Sequence, residues 1–204
     1  MKNIGASILV SFSLLVALAS PASASSMLCV GDSNLWFGTG DDTDWCAQAA
    51  AIKGGYTRVA DGVPGDRTAQ CLTRLAADLA AGDYDVVVLA CGTNDVGLFG
   101  VDEDNDASLL NIMEMAKMAH DDGAFVFVLN IPPRNNSPYF AYEGFTERLT
   151  DKIARGVPAL DGAAVIDIRA PLALLGWDAH TSDGVHFNNA GRAKVGAAVA
   201  AWLP

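Results

Sequence analysis

The chain has 204 residues, of which 51% are hydrophobic, a length and composition typical of one globular domain with a substantial apolar core. Its 24 acidic side chains outnumber 13 basic ones, which gives a formal charge of -11 at pH 7. A protein this negative repels phosphate backbones and anionic lipid surfaces, so nucleic acid and acidic membranes are excluded as its main partners.

The N-terminal segment has the three regions of a secretory signal peptide. Lys2 supplies a positive charge, an apolar run covers residues 8–18, and a stretch of small residues ends at Ala24. The apolar run is shorter than the roughly twenty residues that a membrane-spanning helix needs. We therefore expect a signal peptide over 1–24 with cleavage after Ala24, and a secreted or periplasmic domain over 25–204 that is not stably inserted in a membrane.

Five short apolar runs follow the signal segment, and their continuous hydrophobicity is typical of strands buried on both faces. Between and after them, apolar residues recur at helical spacing. This alternation predicts βαβ units and hence a mainly parallel sheet covered by helices on both faces, a three-layer α/β/α sandwich. The predicted strands are 27–30, 56–60, 86–90, 125–129 and 164–166, and helical spacing is clearest over 112–119, 145–153 and 195–202.

The cysteines permit one or two disulfides in an exported chain, and three complete pairings are open. Two of them end apolar, strand-like runs, where a buried thiol behaves as a small hydrophobe, so we expect Cys29 and Cys91 to be unpaired. No Cys-x-x-Cys or His-x-x-x-His spacing indicates a zinc site, and we expect no metal or other cofactor. The four residues are Cys29, Cys46, Cys71 and Cys91.

Polar residues follow three of the predicted strands. Ligands of open parallel sheets bind beyond the carboxyl ends of the strands, so these loops carry most of the functional information. The first places Ser33 at a strand-to-helix turn. The second, 61–68, contains Gly65, whose N–H can approach a ligand closely at a helix start. The third, 92–95, contains Asn94, whose amide can donate to an anionic oxygen or cap the next helix.

A carboxylate and an imidazole precede the last predicted helix. Asp183 and His186 have an i, i+3 spacing that can bring the carboxylate onto one ring nitrogen and leave the other free. His120 ends a predicted helix, where a cation complements the helix dipole and needs no catalytic role. His180 has no carboxylate three residues before it. Asp183 and His186 are therefore the candidate acid–base pair.

Four short sequence blocks occur in order along the chain. They are Gly-Asp-Ser at 31–33, a glycine block that contains Gly65, Gly-Thr-Asn-Asp at 92–95 and Asp-Gly-Val-His at 183–186. This combination resembles the SGNH hydrolases, a family of GDSL-like esterases and lipases, from Leu28 to the final helix. The resemblance implies a flavodoxin-like fold with a five-stranded sheet of order 2-1-3-4-5. Many relatives have an aliphatic residue after the serine, whereas this chain has Asn34.

The resemblance also implies a role for each block. Ser33 is the expected nucleophile, His186 the base that accepts its proton, and Asp183 the acid that orients the imidazole. The expected oxyanion hole consists of the Ser33 N–H, the Gly65 N–H and the Asn94 side-chain amide. The expected function is a secreted serine esterase that hydrolyses acyl or acetyl carboxylic esters through an acyl-enzyme.

Other residues near this sheet edge are expected to support the site. We expect Asp32 to be structural and Asp66 and Asp95 to stabilise loops at helix starts. Aromatic side chains could line an acyl or sugar site, although core packing explains any one of them equally well. The strongest candidates for substrate binding are Trp36 and Trp177, and the others are Phe37, Tyr139 and Phe140.

Three other functions remain open. An O-acyltransferase would use the same triad with a carbohydrate hydroxyl in place of water. A non-catalytic carbohydrate-binding relative would lack at least one block residue, whereas all are present. A flavin-binding protein would need a first loop richer in phosphate-gripping Ser, Thr and Gly. We expect a monomer whose partner is a small-molecule, lipid or carbohydrate ester, of unknown acyl length.

Overall fold

The structure, a computed structural model, describes residues 24–36, 43–95, 105–135 and 143–204. The signal peptide expected over 1–24, apart from Ala24, lies outside these ranges. The aromatic candidates Phe37, Tyr139 and Phe140 also lie outside them.

The described residues form a five-stranded parallel sheet of order β2-β1-β3-β4-β5, which confirms the predicted architecture. The sequence order reverses between β1 and β3, and such a switch point opens a crevice at the carboxyl ends of the strands. Ser33 follows the first of these two strands and Asn94 follows the second. The strands are β1 (Ser25–Gly31), β2 (Tyr56–Gly62), β3 (Val86–Ala90), β4 (Phe125–Leu129) and β5 (Ala163–Ile166).

Helices cover both faces of the sheet and complete the expected three layers. Gly123 follows one of them with φ 102°, as a glycine after a helix end commonly does. The last helix stops before Trp202, which is 51% exposed, so the predicted helical pattern extended too far there. The helices are α1 (Ser33–Trp36), α2 (Trp45–Lys53), α3 (Thr68–Ala81), α4 (Asp106–Asp121), α5 (Glu143–Gly156), α6 (Arg169–Ala173) and α7 (Asn189–Ala200), with 3₁₀ turns at Val157–Ala159 and Trp177–Ala179.

The hydrophobic core is divided in two by the sheet. Successive strand residues point to opposite faces, so Leu28 belongs to one half of the core and Cys29 to the other. One half includes α2 and α7, and the other includes α3, α4 and α5. Both halves bury strand side chains completely, which explains the continuous apolar runs in the sequence. Over the part of the chain that the structure describes, every helix is too short or too polar to cross a membrane.

The prediction that Cys29 and Cys91 are unpaired is wrong. Cys29 is bonded to Cys46 and Cys91 to Cys71, with Cα–Cα distances of 6.4 and 6.7 Å. The first disulfide joins β1 to α2, and the second joins the loop after β3 to α3. Each pair meets because a helix packs on the side of the sheet where Cys29 or Cys91 is buried. The spacing of the cysteines in the sequence does not indicate where these helices pack, so it does not predict the pairing.

Candidate active site

A single helical turn presents Ser33 at the carboxyl end of β1. The carbonyl oxygen of Asp32 accepts hydrogen bonds from the N–H groups of Leu35 and Trp36 at 3.1 and 3.0 Å. The Asp32 carboxylate accepts a third from the Asn34 N–H at 2.9 Å. The first four N–H groups of a helix have no acceptor within the helix, and α1 has only four residues. The contacts with Asp32 supply acceptors for three of these N–H groups.

Two glycines allow this turn to lie directly on the sheet. A Cβ atom at Gly62 would lie 2.5 Å from the backbone nitrogen of Trp36, and one at Gly31 would lie 2.9 Å from the Cβ of Leu35. Neither clash is relieved by rotating a flexible side chain. Glycine at the ends of β1 and β2 therefore positions α1, and with it Ser33, close to the sheet edge.

The loop before α7 holds Asp183 and His186 in a tight turn. One carboxylate oxygen of Asp183 accepts from the backbone N–H groups of Val185 and His186 at 2.9 and 2.8 Å. Its other oxygen lies 2.7 Å from Nδ1 of His186. The Thr181 hydroxyl accepts from the Gly184 N–H at 2.8 Å and donates to the His186 carbonyl at 2.9 Å.

The structure brings the three predicted catalytic residues together. Nε2 of His186 lies 3.0 Å from Oγ of Ser33, although the two residues are 153 positions apart. Partial burial raises the pKa of the Asp183 carboxyl, but hydrogen bonds from the N–H groups of His186 and Val185 and from the His186 ring outweigh this and lower it overall. Asp183 is therefore ionised at neutral pH, beside an imidazole that contacts the serine.

The glycine block, the loop 61–68 that contains Gly65, forms a β-turn beside the end of β1. The Asp66 N–H donates to the Val63 carbonyl at 3.2 Å, and Gly65 occupies the third position with φ 84°, which glycine tolerates without strain. Pro64 fits the second position of such a turn. Because the hydrogen bond that closes the turn uses the Asp66 N–H, the exposed Gly65 leaves its own N–H available for a ligand.

Arg74 on α3 ties this turn to the sheet, a role that sequence reasoning missed. Its guanidinium donates to the Asp66 carboxylate at 2.8 Å, to the Gly31 carbonyl at 2.9 Å and to Asp61. Asp66 thus stabilises its loop through Arg74 rather than by capping a helix. The spacing of Arg74 from Asp66 in the sequence is only a weak signal of their contact. The contact of Arg74 with Gly31 arises only in the folded structure, which brings the end of β1 close to α3.

The Asn94 side chain contacts the glycine block from the loop after β3. Its Nδ2 donates to the Asp66 carbonyl at 2.9 Å, and the residue is 8% exposed. The neighbouring Asp95 accepts from the Thr68 N–H at 2.9 Å, from the Thr68 hydroxyl at 2.6 Å and from the Ser108 hydroxyl at 2.9 Å. Asp95 therefore has the supporting role expected of it, at the start of α3.

Asp32, which precedes Ser33 in the sequence, is a fully buried carboxyl. Burial raises the pKa of Asp32 from 3.8 to about 6, although the Asn34 N–H, the Thr93 hydroxyl, His186 and Arg134 all act to lower it. Its hydrogen bond to α1 agrees with the expected structural role. The raised pKa, however, makes the charge of Asp32 depend on pH in a range that sequence did not indicate.

Arg134, also missed, is 1% exposed and lies in the loop after β4. Its side chain donates to the Thr93 carbonyl in the same block as Asn94, and its backbone N–H donates to Glu143 at 2.7 Å. A buried guanidinium at this place holds the loop after β3 against the loop after β4. Polar residues that follow parallel strands are candidates for a site, and applying this rule to the loop after β4 would have identified Arg134.

The two tryptophan candidates differ in their surroundings. Trp36 is 47% exposed at the end of α1, three residues after Ser33. Trp177 is 7% exposed, packs edge-on against Phe187 at 5.8 Å, and donates from Nε1 to the Gly184 carbonyl at 3.0 Å. The indole of Trp177 thus packs against the loop that carries His186, and the expected substrate contact at Trp177 stays a prediction.

The remaining histidines lie apart from this constellation. His180 is 2% exposed, with Nδ1 3.1 Å from the Gly176 carbonyl, and His120 lies on α4. Within the described ranges, His, Cys, Asp and Glu side chains form no group of three or more that could hold a metal ion.

Comparisons with known proteins show the family and agree with the fold. Residues 29–194 match the model of the GDSL-like Lipase/Acylhydrolase family. No curated protein sequence matched the chain. Among solved structures, a GDSL-like lipase from Bacteroides thetaiotaomicron has 21% identity and a TM-score of 0.70, with 89% of each chain covered.

Two further solved structures are similar over most of the chain. An acetyl xylan esterase has 19% identity and a TM-score of 0.75, with 87% of this chain and 100% of that chain covered. The protein TesA has 26% identity and a TM-score of 0.65, with 86% of this chain and 96% of that chain covered. Since the family match spans more than half of the sequence, the chain belongs to the GDSL-like Lipase/Acylhydrolase family, a family of ester hydrolases.

Proposed function

We propose that the protein is a secreted serine esterase that hydrolyses carboxylic esters through an acyl-enzyme formed on Ser33. The observation that carries the proposal is the placement of the His186 ring. It lies 3.0 Å from the Ser33 hydroxyl on one side and 2.7 Å from the Asp183 carboxylate on the other. This geometry suits a base that removes the proton of a serine while a carboxylate stabilises the resulting imidazolium.

Acylation begins when Oγ of Ser33 attacks the ester carbonyl carbon and its proton passes to Nε2 of His186. The tetrahedral intermediate then collapses, the alcohol leaves with the proton from His186, and the acyl group stays on Ser33. Water repeats the sequence, giving its proton to His186 and releasing the carboxylic acid with Ser33 restored. Asp183 orients the imidazole throughout and does not itself take the proton.

Three donors are proposed to stabilise the oxyanion of this intermediate: the N–H groups of Ser33 and Gly65, and Nδ2 of Asn94. The Asn94 amide has two hydrogens, and its bond to the Asp66 carbonyl uses one of them. The same bond fixes the amide beside the turn that carries Gly65. Each donor contributes about 3 kcal/mol to lowering the barrier.

The substrates we propose are acetyl and short acyl esters, including those of carbohydrates. The side chains of His186 and Asp183 are 30% and 45% exposed, so the reacting groups lie at an open sheet edge. Trp36 offers a half-exposed aromatic surface within one helical turn of Ser33. The similarity of the fold to an acetyl xylan esterase also supports this class.

The proposed export rests on the signal-like segment 1–24 and on the disulfides. All four cysteines lie in described segments and are paired. Disulfides form and persist in oxidising compartments, which supports a location outside the cytoplasm. N-terminal sequencing of protein recovered from the medium or periplasm would test both the export and the cleavage after Ala24.

Hydrolysis of p-nitrophenyl acetate, butyrate and octanoate tests the proposed reaction. Wild type should turn over at least one of these esters, and Ser33→Ala should fall to background. Ser26→Ala is a matched control, because Ser26 lies on the same strand and its hydroxyl bonds to Asp83 and Asp85 at the opposite end. Equal activity of Ser33→Ala and wild type would exclude Ser33 as the nucleophile. If all proteins are inert, adding an acceptor alcohol and analysing the products would test acyl transfer instead.

A further inference from the structure

Asn34 joins the two loops that carry the proposed nucleophile and base. Its side-chain carbonyl oxygen accepts a hydrogen bond from the Phe187 N–H at 3.0 Å. Asn34 is adjacent to Ser33 and Phe187 is adjacent to His186, so the bond runs beside the contact between those two residues. Asn34 is 4% exposed and Phe187 is also 4% exposed, so water does not compete freely for the bond.

The orientation of the Asn34 amide follows from its partner. A backbone N–H can only donate, so the atom that faces Phe187 must be the carbonyl oxygen and not the nitrogen. An aliphatic residue at this position would have no acceptor to offer. The feature is therefore a property of asparagine in this chain and not of the turn itself.

On the histidine side, the bond completes the fixation of one peptide group. The carbonyl of His186 accepts from the Ser182 N–H and from the Thr181 hydroxyl, each at 2.9 Å. The N–H at the other end of the same peptide belongs to Phe187 and donates to Asn34. The backbone that carries the imidazole is thus held from its own loop and from α1.

On the serine side, Asn34 is itself anchored. Its N–H donates to the buried carboxyl of Asp32 at 2.9 Å. Two consecutive hydrogen bonds, from Asn34 to Asp32 and from Phe187 to Asn34, therefore connect the end of β1 to the histidine loop. A four-residue helix has little cooperativity of its own, so such anchors decide where Ser33 lies.

We propose that Asn34 is a positioning residue that sets the separation of Ser33 and His186. The inference rests on the proposed function, since it concerns the proton transfer between these two side chains. Their contact at 3.0 Å changes when His186 takes the proton, whereas the bond between Asn34 and Phe187 involves neither reacting atom. It therefore keeps the two loops in register through both halves of the reaction. A displacement of about 1 Å at such a contact lowers the rate on the order of a hundredfold.

Three variants test this role. Asn34→Leu keeps a similar shape and removes the acceptor, and Asn34→Asp keeps an oxygen at the same place. Asn130→Leu is the matched control, because Asn130 is a buried asparagine that likewise accepts a backbone N–H, from Ile168 at 2.9 Å, without touching the triad. Each variant is measured for kcat and KM on a p-nitrophenyl ester, for the rate of Ser33 labelling by a fluorophosphonate, and for thermal stability.

We expect Asn34→Leu to lower kcat and the labelling rate by about tenfold or more with KM near that of wild type. Asn34→Asp should recover most of the kcat. Asn130→Leu should lose at least as much stability as Asn34→Leu while its kcat stays at the wild-type level. Equal kcat and labelling rate in Asn34→Leu and wild type would overturn the inference, and so would an equal loss of kcat in Asn130→Leu.

One further readout and the behaviour of wild type keep the test decisive. If Asn34→Leu does not fold, hydrogen exchange of the Phe187 amide is compared between wild type and Asn34→Asp. Strong protection in both supports the bond, and exchange at the unprotected rate in wild type overturns it. A wild-type protein that neither hydrolyses the ester nor is labelled at Ser33 would contradict the proposed function, whereas a slow Asn34→Asp with an active wild type would contradict the positioning role alone.

Discussion

Asp183 holds His186 at two points, the backbone and the ring. One carboxylate oxygen accepts the His186 N–H at 2.8 Å, and the other lies 2.7 Å from Nδ1. The two contacts fix the histidine backbone relative to its own side chain. The i, i+3 spacing of the pair therefore does more than supply a charge, because it also determines the direction of the free Nε2.

Replacing Asp183 by Asn should separate orientation from charge. Asparagine keeps an oxygen for the His186 N–H but can place its amide nitrogen against Nδ1, which favours the wrong imidazole tautomer. We expect kcat to fall on the order of 10⁴-fold, and less than in Ser33→Ala. Steady-state kinetics measures the loss, with Asp178→Asn as the control in the same segment. A variant with nearly normal kcat would show that Asp183 is not the triad acid.

Removing the Asn94 amide should slow chemistry more than it weakens binding. Asn94→Ala deletes a proposed oxyanion donor, so kcat should fall by about 10²–10³-fold with a small change in KM. Asn111→Ala is a suitable control, because Asn111 donates to the Thr68 hydroxyl in the same network and lies away from Ser33. If the two variants lose kcat equally, Asn94 acts by stabilising the loop and not by contacting the oxyanion.

The buried carboxyl of Asp32 should lower the free energy of unfolding as the pH rises, whereas a salt-bridged carboxyl raises it. Burial raises the pKa of Asp32 to about 6 in the folded protein, so the folded state binds a proton between about pH 4 and 6 that the unfolded chain has already released. The stability that the protonated Asp32 provides is fully present below about pH 4 and is lost as the pH rises through about 6. The total change is about 3 kcal/mol.

Urea unfolding of wild type and Asp32→Asn between pH 4 and 8 isolates this effect. Other carboxyls titrate equally in both proteins, so the difference in unfolding free energy reports Asp32 alone. We expect wild type to lose stability relative to the variant as the pH rises from about 4 to 6. A difference that stays constant over this range would show that the pKa of Asp32 is not raised.

Peptide mapping without reduction should find Cys29 linked to Cys46 and Cys71 linked to Cys91. The bonds close loops of sequence separation 17 and 20. Replacing either pair by serines should therefore lower the unfolding free energy by about 3 kcal/mol, chiefly because the unfolded chain gains freedom. Denaturant unfolding of the two double variants measures this. Any other pairing in the map would contradict the arrangement.

The order of the elements was accessible from sequence because it depends on local patterns. The strands Val86–Ala90 and Phe125–Leu129 have the bounds expected from their apolar runs. Burial on both faces leaves such runs no alternation of polar residues, so they stand out clearly. The pattern at 195–202 ran past the true end of α7, because a half-exposed Trp202 fits helical spacing without being in the helix.

The candidate site was accessible for a similar reason. Ser33, Gly65 and Asn94 follow strands of a parallel sheet whose carboxyl ends meet at one edge, and Asp183 and His186 precede the last helix. That rule, together with the family resemblance carried by the four short blocks, selected Ser33, Gly65, Asn94, Asp183 and His186 as candidates. Asn34, Arg74 and Arg134 were not selected, because none of them is one of the residues that define the four blocks, and their hydrogen-bond partners are known only from the folded structure.

Sequence alone thus determined the parallel sheet and its helical layers and indicated the candidate site residues, since periodicity, post-strand position and short motifs are properties of neighbouring residues. Tertiary structure alone decided the disulfide pairing, the burial of Trp177 and the raised pKa of Asp32. It also decided the bond between Asn34 and Phe187. Each of these depends on which surfaces meet when a helix or loop crosses the sheet, and on how much water that contact excludes.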